Sequence, residues 1–142
     1  MTIGNNIVND KKLLFESVLI KHIAKHDDFM NDYDRLALYL SADSGKNIDG
    51  RKITYMSRGE AYAKKWLILC LLKTALVYGW LPNTPEDWMH IIWTLTGKRQ
   101  SVYGGDNTLI YEKLADMSGK PECVFEQKYA EMLQESQYGE PK

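Results

Sequence analysis

At 142 residues the chain suits one domain, long enough to bury a core without disulfide or metal staples. Apolar residues at 44% and charged residues at 26% exclude the disordered class. The 18 basic and 19 acidic side chains leave a net charge of −1, which argues against strong bulk attraction to nucleic acid or membrane.

Residues 9–26 read as a first amphipathic helix, with Leu13, Leu14, Val18, Ile20, Ile23 and Ala24 along its apolar side. No basic stretch followed by a long apolar run precedes it, so no secretory signal is expected and a reducing cytoplasm is the expected compartment. A second helix is predicted over residues 27–41, with Phe29, Tyr33, Leu36, Ala37 and Leu40 on one stripe and Asp27 and Asp28 at its positive end. Residues 43–50 are dense in turn formers and predict a mobile loop, and residues 52–56 predict a short extended piece.

Residues 66–72 are apolar without a break, and Lys73 is the sole charge before Leu81. A segment apolar all round has to be surrounded by others. It predicts a central helix over about 57–78, opened by a Ser57/Glu60 capping box and ended at Gly79. The run is far short of the roughly 20 residues a membrane span requires. Thr84, Pro85, Glu86 and Asp87 then start a fourth helix that runs through Trp88, Ile91, Ile92 and Leu95 to Gly97. Residues 98–106 predict a polar loop, 107–118 a fifth helix and 121–136 a sixth, with Gly119 between them. The fold class expected is an all-α, single-domain bundle of five or six helices around the apolar one. Trp66, Trp80, Trp88 and Trp93 are expected in the core between the third and fourth helices, an exposed one marking a protein-binding hot spot.

Chemistry is sparse. His22 and His26 lie i, i+4, but two ligands do not make a metal site, and the glutamate of a HExxH pair is missing. His90 in its short helix reads as a hydrogen-bonded or exposed side chain rather than a base. Cys70 and Cys123 read as buried free thiols, with no CxxC pair. Gly45-Lys46 and Gly97-Lys98 lack the preceding glycine and the following Ser or Thr of a phosphate loop. The glycines between Tyr103 and Asp106 suit a loop. Leu114, Ala115, Gly119, Val124 and Phe125 have a helix-turn-helix rhythm, yet the second helix would present Glu122, Glu126 and Glu131, so a packed hairpin is the better reading. No catalytic residue, cofactor or metal is expected.

Charge is polarised along the chain. Residues 51–73 hold Arg51, Lys52, Arg58, Lys64, Lys65 and Lys73 against Glu60, a net of +5, while residues 106–142 carry −4. The function expected is therefore non-enzymatic: binding to another protein, as adaptor, inhibitor or subunit of an assembly, through complementary charge. The alternative is a nucleic-acid-binding subunit using Arg51, Lys52, Arg58, Lys64 and Lys65 with Lys98 and Arg99. There Tyr55 and Tyr62 would stack on bases while cations meet phosphates.

Overall fold

The computed structural model describes residues 14–99, 101–103 and 106–139, with side chains described as far as 135. Among these the chain is all-helical. Seven helices follow in order: α1 (Phe15–Ala24), α2 (Tyr33–Ser44), α3 (Gly50–Ser57), α4 (Lys65–Val77), α5 (Pro85–Thr96), α6 (Thr108–Ser118) and α7 (Glu122–Gly139). None is long and apolar enough to cross a membrane. One continuous cluster of buried apolar side chains draws on all seven, with Leu19, Ile23, Leu36, Leu40, Ile53, Leu72, Leu76, Trp88 and Phe125 among its members.

The α1–α2 junction falls later than the apolar spacing predicts. Met30 and Asn31 take left-handed backbone (φ 48° and 60°), and Asp32 accepts from the Asp34 and Arg35 amides, so α2 starts at Tyr33 rather than at Asp27. A strong capping carboxylate next to an asparagine that tolerates positive φ outranks the helical register of Phe29. The first part of the predicted first helix, residues 9–13, lies outside the described residues.

Residues 52–56 are not extended but belong to α3. Asp49 caps it, its Oδ1 accepting from the Arg51 amide at 3.0 Å, and Ile53, Met56 and Ser57 turn inward at helical spacing. Burial of that stripe against α1 and α2 overrides the strand preference of the Ile53-Thr54-Tyr55 run. Ser57 therefore ends α3, donating to the Thr54 carbonyl at 2.6 Å, and does not cap the central helix. Glu60 pairs with Arg58 instead, at 4.0 Å. The central helix α4 begins at Lys65 without any side-chain cap, and the chain beyond it turns at Gly79 with φ 94°.

α4 packs on α1 and α2 on one side and on α5 and α6 on the other. Two flanking groups cover two faces and leave a third: Trp66 and Leu69 are half-buried, and Lys73 and Val77 are exposed, spaced i, i+3 or i+4 along one line. The helix is thus not enclosed on every side, and Leu69 is not a core residue whereas Leu72 is fully buried. Trp80 and Trp88 are buried as expected, but Trp66 is half-buried and Trp93 is exposed on the outer face of α5. α5 matches the sequence reading. Thr84 accepts from the Asp87 amide, Asp87 accepts from the Asn83 and Thr84 amides, and Gly97 ends the helix at φ 75°.

Candidate interaction surface

The seven cations of the sequence reading fall into two groups. Arg51, Lys52 and Arg58 belong to α3 and its end, and all three are exposed. A rotation of about 100° per residue puts Arg51, Tyr55 and Arg58 on one line of that helix, with Lys52 on its flank. Arg58, the C-cap, keeps right-handed helical backbone and so continues the line. Tyr55 is 43% exposed within it, and Tyr62, in the connection that follows, is 75% exposed. That connection is held to α1 from beneath. The buried Glu16 accepts from the Ala63 amide at 2.8 Å, and Ser17 donates to the Met56 carbonyl at 2.5 Å. The stripe is thus exposed on a fixed support.

Lys64, Lys65, Lys98 and Arg99 form the second group, where the start of α4 meets the end of α5. The Lys65 ammonium lies 3.6 Å from the space a Cβ on Gly97 would occupy. This sets a cation at the negative C-terminal end of α5, beside the residue that precedes Lys98 and Arg99. Lys46, which sequence reasoning missed, joins the surface between α2 and α3 with its ammonium 4.9 Å from the centre of the Trp66 ring. Among the described residues, Arg58 and Lys73 have carboxylates within 4.0 Å, Glu60 and Asp43 respectively, whereas Arg51, Lys52, Lys64, Lys65, Lys98 and Arg99 have none.

The three histidines, Tyr78 and Cys70 are engaged by their neighbours. His22 donates through Nε2 to the Tyr78 carbonyl at 3.0 Å, and the His26 Nδ1 accepts from the Asp28 amide at 3.1 Å. The Tyr78 hydroxyl donates to Asp28 at 2.9 Å, and burial followed by this bond pushes its pKa up to about 12. His90 stacks on Phe15, with centroids 5.0 Å apart. Cys70 is buried, and desolvation, then the Asp43 charge and hydrogen bond, push its thiol up to about 11. Cys123 departs from the expectation of burial: it is exposed on α7, two residues before the inward-facing Phe125 and so on the opposite side of the helix. Among the described residues no three His, Cys, Asp or Glu side chains are grouped to hold a metal ion.

α6 and α7 pack as a hairpin about Gly119, whose φ is 75°. Glu122, Glu126 and Glu131 face solvent, while Lys128 is occupied by Asn83 and Glu131 at 3.3 and 3.4 Å. The preceding connection is pinned where the Tyr129 hydroxyl donates to the Val102 carbonyl. Gly104 and Gly105 lie outside the described residues. No protein-family model, curated protein or solved structure matches the chain.

Proposed function

We propose that this chain works by binding another protein, and that the basic, tyrosine-bearing side of α3 and the connection after it receives an acidic patch of that partner. The observation that carries the reading is the exposed line of Arg51, Tyr55 and Arg58, flanked by Lys52 and Tyr62. Arginine and tyrosine are the residue types that concentrate binding energy at protein interfaces. Complementary charge would steer the encounter.

Nucleic-acid binding is the second reading, favoured by the same alternation of cations with exposed tyrosines. Affinity capture from the source cell, with and without nuclease, separates the two. A protein partner that survives nuclease supports the first; loss of all partners with recovery of RNA or DNA supports the second. Titration with labelled oligonucleotides at two salt concentrations adds a quantitative arm. Under the second reading, Lys64→Ala with Lys65→Ala flattens the logarithmic salt slope by roughly 0.9 for each duplex phosphate no longer neutralised. Under the first, oligonucleotide affinity is negligible at physiological salt and the same pair slows association with the protein partner.

A further inference from the structure

Resting on the protein-binding reading, we propose that the groove between α2 and α3 receives a lysine or arginine side chain of the partner. The groove has a volume of about 430 Å³ and is lined by Ala37, Leu38 and Ile48 together with Asp34, Asn47 and Asp49, beside Gly50. That volume falls in the range of pockets that hold small ligands. Asp34 belongs to the first turn of α2 and lies against the bare Cα of Gly50, where a Cβ would overlap its carboxylate and meet its Cα at 3.0 Å. Its carboxylate has no hydrogen bond or cation within reach among the described residues. Asp49 accepts at Oδ1 from the Arg51 amide and, among the described residues, likewise has no cation within 4.0 Å. Leu38 beside them is 73% exposed.

Two carboxylates without a cation, next to the exposed Leu38 side chain, select a ligand with a cationic head on an apolar stem. A bare cation would leave Leu38 wet, and an aliphatic group would desolvate two charges without compensation. Lysine and arginine side chains have both parts. Arg51 and Lys52 begin one and two residues beyond Gly50, so a partner segment with a basic residue flanked by acidic ones matches groove and basic stripe together. Such alternation gives specificity that a single patch of one sign lacks.

The test uses the intact, isotope-labelled chain and records amide NMR shifts on titration with Nα-acetyl-lysine methylamide and its arginine counterpart. The norleucine counterpart supplies the stem without charge, and ammonium chloride the charge without stem. Saturable shifts at the Leu38 and Gly50 amides with the lysine and arginine probes, absent with both controls, are expected. Asp34→Asn and Asp49→Asn, the second of which keeps the helix cap, each weaken probe binding about tenfold or more through loss of a charge-assisted hydrogen bond. Equal binding of the norleucine probe, or indifference to both substitutions, overturns the proposal. Concentration-dependent shifts of the same amides without probe overturn it in favour of a second copy of this chain as occupant. A captured protein partner with a silent lysine probe overturns the groove alone. Probe binding with no protein partner captured overturns the partner as the source of the side chain, and the protein-binding reading falls with it.

Discussion

Gly50 occupies the first position of a helix with an ordinary negative φ, so freedom of backbone does not explain a glycine there. Proximity does: α2 approaches α3 so closely at Asp34 that a methyl group has no room. Alanine is the better helix former by about 1 kcal/mol, and on propensity alone Gly50→Ala would stabilise the protein. The close approach predicts the reverse, a loss of about 1–3 kcal/mol from forced separation of the two backbones. Urea denaturation measures it, and a more stable variant would mean that the two helices do not meet at this point. His90 makes stability depend on pH. Burial is the largest influence on it and lowers its pKa from the ordinary value of about 6.5, opposed by Glu16, Asp87 and Glu86. The folded chain therefore binds a proton less readily than the unfolded one, and stability present above about pH 6.5 declines as pH falls through the folded value. His90→Gln should show a shallower fall in melting temperature between about pH 7.5 and 5.5 than the parent.

At the scale of elements, α4 offers the sharpest contrast between neighbours in sequence. Leu72 is fully buried and Leu69 lies on the partly open line, so Leu72→Ala should cost about 2–5 kcal/mol and Leu69→Ala distinctly less. Thermal melts of the two variants decide it; equal losses would require the open line to be covered in solution. How far the sequence discloses such elements depends on where their stabilisation lies. α5 is legible to the residue, because Thr84, Pro85, Asp87 and Gly97 are local signals acting within one turn of each end. α3 is not, since its eight residues carry strand-favouring Ile53 and Tyr55 and become helical by packing against α1 and α2. The signal that would have found it is Asp49 as a cap followed by the inward spacing of Ile53, Met56 and Ser57. The start of α4 is misplaced for the same reason: with no capping side chain, its boundary follows from where α3 ends and its connection is held by Glu16. The cations of the interaction surface are legible as residue types, but their division is not. Lys65 reaches Gly97 across 32 positions, and Asp34 meets Gly50 through the packing of two helices.

For the molecule as a whole, the two strongest local concentrations of charge are set apart. The basic line lies on α3 and the acidic side chains on the α6–α7 hairpin, and these belong to opposite flanks of α4. An acidic patch drawn to the α3 line is repelled by the acidic hairpin, which orients the encounter before contact, and raising salt above physiological strength should slow association by screening both effects. α3 packs on both α1 and α2, α5, α6 and α7 pack among themselves, and α4 is the wall that both groups share, with the Phe15–His90 stack as a direct contact between them. If either group opens locally, the other still covers half of α4, so no partial opening frees its backbone. Amide hydrogen exchange should therefore be slowest across Leu67–Leu76, at the rate set by global unfolding, while α3 and the α6–α7 hairpin exchange earlier and independently of each other. Stabilising one flank, as a bound partner would, should slow exchange in that flank first and leave the opposite flank at its own rate. The shared wall makes the chain two cooperative units that dissolve together only when α4 itself unfolds, and mass-resolved exchange with and without partner reads which unit the partner holds.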